Sequence, residues 1–304
     1  MAAYEAGLNE EPISPGASRT RQGSMNSLIV SYYSSAAFQG LADQTRKTYR
    51  GIIERFRQEH GDKSMVGLRP QHIRALIEQK AQTPSAANNL LMILRILLGH
   101  AVDTGLTDAN PAVGVRNIRA ASQGFRTWQE GDIQRFEARW PVGTAQRLAF
   151  DLCLYTGQRR GDVVRMGPQH IRDGVLSIRQ QKTGAEVVIP VHGNLQASLD
   201  TAQTGEMVFL LTSQGRAFTA NGFGNFFRDA VESAGLRGLS AHGLRKAACR
   251  RLAEAGCTAH EIMSISGHVS LREVQRYTMA ANREQMARSA FQKLGTSQNK
   301  NSQT

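Results

Sequence analysis

The chain has 304 residues, 40% of them apolar and 20% charged, and its 37 Lys and Arg against 25 Asp and Glu give a net charge of +12. That length supports two domains, or one large one, each with its own core. Three cysteines, Cys153, Cys249 and Cys257, have no metal-type spacing, which excludes a disulfide scaffold and points to a reducing compartment.

The opening MAAYEAGLNEEPISPG carries acids where a secretory signal needs a basic start and an apolar run, so a cytoplasmic protein is expected. Residues 1–24 are rich in Gly, Ser, Pro and Glu and read as a flexible leader. From Ser27 helical patterns begin. Tyr49, Ile52, Ile53 and Phe56 fall on one helical face. QHIRALIEQKA follows behind Pro70, and a longer helix runs from Ser85 to about Thr104, with Leu90, Leu94, Leu97 and Ala101 as its stripe and Gly105 as its stop. Its apolar part, NLLMILRILLGHAV, is too short to span a bilayer and carries Arg95 in the middle, so no membrane partner is expected. TDANPAVGV is turn chemistry, because Asn-Pro breaks helices. Residues 25–112 therefore read as a helical bundle and 113–126 as a linker.

A second domain, 127–290, opens on Thr127-x-x-Glu130, which has the form of a capping box. Helices through Arg135 and through Leu148 and Leu152 follow. GVLSIRQQ, KTG and AEVVIPV then read as two strands joined by a tight turn. Thr219 starts a helix that directs Phe223, Phe226, Phe227, Ala230 and Val231 to the core and ends at Gly235. Two further capping boxes stand at Thr258-x-x-Glu261 and Ser270-x-x-Glu273. Residues 291–304 form a polar tail. The predicted class is mainly α with a small β-hairpin in the second domain. Both parts are basic: 25–112 holds ten basic and seven acidic groups, and 113–293 holds 24 and 15. A field of that sign, spread over folded segments, favours a polyanion such as nucleic acid.

Four clusters in the second domain carry functional groups. In TGQRRGDVV, Arg159 and Asp162 are three apart. Arginine is a planar fork that grips two phosphate oxygens and stays charged, although the pair reads equally as a surface ion pair at a helix start. Lys182 sits at the hairpin tip, as a solvated turn residue or as a proton donor on a loop. In SAHGLRKAACRRLAEAG, with Ser240 as N-cap, His242 and Arg245 share a face near the helix N-terminus, where an anion is favoured. In GHVSLREVQRYTM, Gly267 ends one helix, His268 sits in the turn, and the next helix carries Tyr277, nine residues on. A tyrosine is a poor nucleophile unless cations or a base help remove its proton.

The ordered set Arg159, Lys182, His242-x-x-Arg245, Gly267-His268 and Tyr277 resembles the tyrosine recombinase (phage integrase) family over almost the whole chain. Thr-Gly before Arg159 and Ala-Asn-Pro before the linker also match. The resemblance implies two-domain architecture: a helical, SAM-like core-binding domain and an α+β catalytic domain. Gln158 and Arg160 stand where apolar residues are common in the family, Asp162 replaces the more usual Glu, and Ser266 stands where Leu commonly precedes Gly-His. A 24-residue leader is too short for the arm-binding domain of the larger phage integrases.

By this resemblance Tyr277 attacks a DNA phosphodiester, leaving a 3′-phosphotyrosine and a free 5′-hydroxyl. Arg159, Arg245 and His268 hold the non-bridging oxygens, Lys182 protonates the leaving oxygen, His242 assists at Tyr277 or binds the phosphate, and Asp162 supports the site. No metal and no nucleotide cofactor are implied. The implied partners are double-stranded DNA, three further protomers in a tetramer on two sites, and an accessory directionality factor, with the chain working in the cytoplasm at the nucleoid. Integration and excision of a mobile element is the expected role. Resolution of replicon dimers, nicking and closing in the manner of a type IB topoisomerase, and non-catalytic DNA binding are the alternatives.

Overall fold

The computed structural model describes residues 20–119, 124–279 and 291. Most of the expected leader, linker positions 120–123, residues 280–290, and the polar tail apart from Phe291 lie outside the described residues. The chain divides into two compact units, 1–122 and 123–304.

The first unit is helical. Helix α1 (Met25–Ser34) starts at Ser24, whose hydroxyl accepts the Ser27 N–H at 3.2 Å. After α2 (Ala36–Gln39) come α3 (Asp43–His60), α4 (Pro70–Glu78) and α5 (Pro84–Asp103). Pro at the first position of α4 and α5 costs no hydrogen bond there and presets the backbone. The core joins Leu28, Ile29, Phe38, Ile53, Phe56 and Ile73 to the α5 stripe. Each fully buried apolar side chain of this size stabilises the fold by about 1.5–3 kcal/mol.

Helix α5 has 20 residues and is, among those described, the one helix long and apolar enough to cross a membrane by length and composition. The apolar run 89–102 alone is too short to span a bilayer; residues 84–88 and Asp103 lengthen the helix beyond it. Its leucines are spent inside the bundle, where Leu91, Leu94 and Leu97 are fully buried. Arg95 interrupts the stripe for a reason: it donates to the carbonyls of Ala112 and Val115, while Asn110 donates back to the Arg95 carbonyl at 2.8 Å. The Asn-Pro turn is thereby pinned to α5, and bundle packing runs past residue 112 to Val115 and Ile118.

The second unit begins its regular structure at α6 (Glu130–Arg139). The expected cap at Thr127 is displaced: the N-cap is Gln129, whose N–H donates to Asp132 at 3.0 Å. Glu130 is drawn away by Arg250 and Arg251 instead, both at 2.7 Å. Helix α7 (Ala145–Thr156) ends on Gly157, which is left-handed with φ 62°. The short α8 (Arg160–Val163) and a 3-10 turn (Pro168–His170) lead to the sheet.

That sheet has three antiparallel strands in order, β1 (Ile171–Arg172), β2 (Val175–Arg179) and β3 (Glu186–Pro190). The sequence pattern shows only the latter two, because β1 is two residues long. Leu176 and Ile178 pair with Ile189 and Val187 on the buried face. The β2–β3 connection is not a tight turn: after the last pair, Arg179 with Glu186, Gln180 N–H still donates to the Ala185 carbonyl and Gln181–Gly184 loop out.

Helices α9 (Gly193–Thr201), α10 (Ala220–Ser233), α11 (Ala241–Glu254) and α12 (Ala259–Ser266) follow, then α13 over residues 271–279. Thr219 caps α10 and Ser240 caps α11, each through its hydroxyl. Thr258 and Glu261 form a reciprocal box at α12, since each side chain accepts the other's N–H. At α13 the bond runs from the Glu273 N–H to the Ser270 carbonyl at 3.1 Å, not to the hydroxyl. An aromatic cluster of Trp128, Phe136, Phe150 and Phe227 centres the core, and the Trp128 indole N–H donates to the Ser240 carbonyl at 2.9 Å.

Candidate functional site

The left-handed end of α7 turns the chain so that Arg159 leads into α8, and the αL end of α12 at Gly267 (φ 66°) does the same for His268. Gly267 is needed twice over. A Cβ there would also meet the Gln180 side-chain nitrogen at 2.3 Å.

Gln180 joins the pieces. Its amide nitrogen donates to Gln158 Oε1 at 2.5 Å and to the Ser266 carbonyl at 2.8 Å, and its oxygen accepts from Arg159 at 2.8 Å and Thr183 at 2.7 Å. Gln158 in turn donates to the carbonyls of Thr156 and Ile265. Both glutamines are buried. Three separate segments, the α7–α8 turn, the hairpin loop and the end of α12 that leads into His268, are thus held by hydrogen-bonded amides, which is the condition for burying them without loss.

Asp162 does not orient Arg159, as the three-residue spacing suggests. It is buried, accepts the Gln181 N–H at 2.8 Å and lies 3.8 Å from Arg165. Its carboxylate therefore anchors the hairpin loop that carries the exposed Lys182.

Arg245 is 2% exposed and sits on the first turns of α11. One terminal nitrogen, Nη1, donates to the carbonyls of Gly157 and Ser266, both at 2.8 Å. The other, Nη2, is buried with no hydrogen-bond partner. Burial first, then the charge of Arg159, pulls the guanidinium down to about 10, while Cys249, Tyr277 and Asp162 push the other way. Arg250 Nε is the other unpartnered buried atom among the described side chains, but Arg250 has Glu254 and Glu130 on its terminal nitrogens. Arg245 is the buried cation whose free donor has no acid.

The remaining groups share this field. His242 is exposed beside the Phe125 ring, 4.8 Å away, and desolvation together with Arg245, Lys246, Arg159 and Lys182 lowers it. His268 is lowered to about 4 by burial, then by Arg245, Arg159 and His242. Its Nδ1 lies 2.7 Å from the Ser266 hydroxyl, and its Nε2 4.0 Å from Glu273. Tyr277, half-buried on α13 against Cys249, Ala253, Ile262 and Val274, is raised to about 12, chiefly by burial, with Arg245 opposing. The thiol of Cys249, below the tyrosine, is raised to about 11 by burial. The structure therefore brings all six sequence-predicted residues into one neighbourhood and puts Asp162 behind the loop. No three His, Cys, Asp or Glu side chains among the described residues gather as a metal site.

A family model described as "Phage integrase family" matches residues 132–284, a span that contains every one of these positions. The chain belongs to the phage integrase family. Among its relatives, the integrase of Escherichia phage HK022 is 28% identical over 155 residues, covering 50% of this chain and 43% of that protein. The chain spans about half the length of the first curated relatives it matches. Two solved structures have the same fold. A lambda integrase (75-356) dimer bound to a COC′ core site matches at 21% identity and TM-score 0.75, covering 84% of this chain and 95% of that one. A lambda integrase tetramer bound to a Holliday junction matches at 22% identity and TM-score 0.72, covering 88% and 85%.

Within the phage integrase family the residues that sequence reasoning misses here are Gln180, Thr183 and Cys249, none of which carries a motif. Gln158 leaves a trace: it is polar where the family is commonly apolar, and its side-chain oxygen accepts from Gln180. Ser266 gives Gln180 only its backbone carbonyl, and its hydroxyl goes instead to the Ile262 carbonyl and His268.

Proposed function

We propose that this chain is a site-specific tyrosine recombinase that cleaves and rejoins double-stranded DNA through a 3′-phosphotyrosine. One observation carries the reading. Arg245 is buried and charged, one guanidinium nitrogen is unbonded, and Arg159 and the imidazoles of His268 and His242 lie beside it. Burial and the two arginines disfavour the charged form of both histidines, and burial with Arg159 does the same to Arg245, so the cluster is a site that a bound anion relieves by compensating its charge.

A phosphodiester among these groups satisfies Arg245 Nη2, and its non-bridging oxygens take Arg159 and His268. Tyr277 approaches from α13 as the nucleophile. Its phenol is protonated before DNA arrives, and entry of the phosphate places the developing phenolate and the pentavalent charge beside two guanidinium groups. The phosphorus–O5′ bond breaks as the bond from the Tyr277 oxygen to phosphorus forms; the phenol proton passes to the His242 imidazole, and Lys182, on the loop anchored by Asp162, gives a proton to O5′. Reversal by a 5′-hydroxyl from a second duplex exchanges strands. The arginines supply the charge, and the phosphotyrosine conserves the bond energy, so neither metal nor nucleotide enters the scheme.

The biological role we propose is integration and excision of a mobile element at the nucleoid, in the cytoplasm, by a tetramer on two sites. The lambda integrase tetramer on a Holliday junction, which shares this fold, supports that assembly. An accessory directionality factor fits a reaction that must run both ways. The test is a nicked suicide duplex carrying the chain's own attachment site. Wild-type protein should give an SDS-resistant protein–DNA adduct, and Tyr277→Phe should give none. An adduct of equal yield from Tyr277→Phe removes the nucleophile from this scheme, and no adduct from wild type leaves a DNA-binding protein without the reaction.

A further inference from the structure

Ser266 is 1% exposed at the end of α12, two residues before His268. Its hydroxyl lies 2.6 Å from the Ile262 carbonyl oxygen and 2.7 Å from His268 Nδ1. A serine hydroxyl has one proton to give, and a carbonyl can only accept. With no proton between them, two oxygens at 2.6 Å would repel, so the hydroxyl proton belongs to the Ile262 carbonyl. Oγ therefore meets Nδ1 with a lone pair, and Nδ1 must hold a hydrogen of its own. Cys249, the other group beside the hydroxyl, is pushed up to about 11 and stays a thiol near neutrality, so no thiolate competes for that proton.

The charges around the ring decide its state. Arg245 and His242 face it from α11 and Arg159 from the turn before α8, and with burial they disfavour the imidazolium. Glu273 on α13 favours it, from 4.0 Å and with its side chain 63% exposed, too far and too well solvated to outweigh them. A neutral ring with its hydrogen on Nδ1 has its lone pair on Nε2.

We infer that Ser266 is a positioning residue that fixes His268 as the Nδ1–H tautomer, so that His268 meets an incoming phosphate as a proton acceptor and grips it only after Nε2 takes a proton from solvent. Anion binding at this site is then coupled to uptake of one proton. The consequence for catalysis rests on the recombinase reading. The tautomer itself does not, so the two can fail separately.

The test uses the full chain without DNA, labelled with 15N-histidine, at pH 7. Long-range 1H–15N correlations report which ring nitrogen is protonated, and His268→Asn assigns the signal. Wild type and Ser266→Thr should show Nδ1 protonated and Nε2 bare, whereas Ser266→Ala should lose that pattern at His268 alone. A protonated Nε2 in wild type, or a Ser266→Ala spectrum identical to wild type, overturns the inference. Sulfate, which does not titrate in this range, probes the coupling. Between pH 5 and 7 wild-type affinity should fall by up to about tenfold per unit as pH rises, and Ser266→Ala should show a shallower slope. Equal slopes in the two proteins overturn the proton coupling, whatever the suicide-substrate experiment shows.

Discussion

The helical unit and the second unit solve the problem of an interior differently. Among the described residues, the first buries leucine, isoleucine, phenylalanine and alanine, and the only buried polar side chain it holds is the capping Ser24. The second buries an equally apolar core and adds Asp151, Gln158, Asp162, Gln180, Arg245 and Ser266. Asp151 is matched by Arg147 and Ser198, and the glutamines by one another and by carbonyls. Arg245 is not fully matched. A buried polar group left short of partners is costly. Among the described residues, the second unit carries that cost at Arg245 Nη2, where the sequence also concentrates its cations, and at Arg250 Nε, whose terminal nitrogens are paired with acids. Stability in the first unit and chemistry in the second are therefore separable by mutation, and the two tryptophans, Trp128 and Trp140, both lie in the second unit and report on it alone.

The largest expected effect is on Arg245→Met, which keeps bulk and removes the unpaired charge. Adduct formation should fall by about 10²–10³ or more, as when an oxyanion donor is lost. Relief of the buried charge offsets the two lost carbonyl bonds, so the tryptophan-monitored unfolding midpoint should fall less than it does for Gln180→Ala. A drop as large as that would mean the guanidinium is chiefly structural, and the contrast between the units would fail. Next is Leu94→Ala in α5, which should cost about 2–5 kcal/mol in the helical unit. Far-ultraviolet circular dichroism should show the loss in denaturant, while tryptophan fluorescence keeps its wild-type midpoint.

Gln180→Ala strands Gln158, Thr183 and Arg159 together. It should lower second-unit stability by about 1–3 kcal/mol, seen in tryptophan fluorescence, and slow the adduct step as well. The smallest effect belongs to Glu130, held at about 2 by Arg251 and Arg250 but well exposed. Its folded value is below its unfolded one, so its contribution is present above about pH 4.5 and fades as pH falls toward 2. Glu130→Gln should cost less than about 1 kcal/mol at pH 7 because solvent screens the pairs, and the gap to wild type should close in acid.

The sequence made the helices of both units legible through their apolar stripes and through caps at Thr219, Ser240 and Thr258, because these signals are local. It also ordered the six polar residues of the site. The tie that holds them was not legible. Gln180 bonds residues 21 and 22 positions before it and 86 after it, and a glutamine at a hairpin looks solvated until its partners are known. The cap at Gln129 escaped for the opposite reason. Thr127 and Glu130 have the right local form, but Arg250 and Arg251, from a helix more than a hundred residues away, claim the carboxylate. Asp162 shows both limits. Its spacing from Arg159 suggests an ion pair, and the hairpin backbone takes it instead.

Cys249 lies under Tyr277 and beside Arg245, buried and held as a thiol. Thiol reagents need both access and thiolate, and here they have neither while α11, α12 and α13 stay packed. Its rate of alkylation is therefore a clock for the opening of the tyrosine-bearing helix. Cys153 is buried in the aromatic core of the same unit and serves as the control that opens only with the whole. Comparing the two rates with and without DNA turns the floor of the site into a timing device, one that reads how often the nucleophile leaves its seat without any need to watch a strand break.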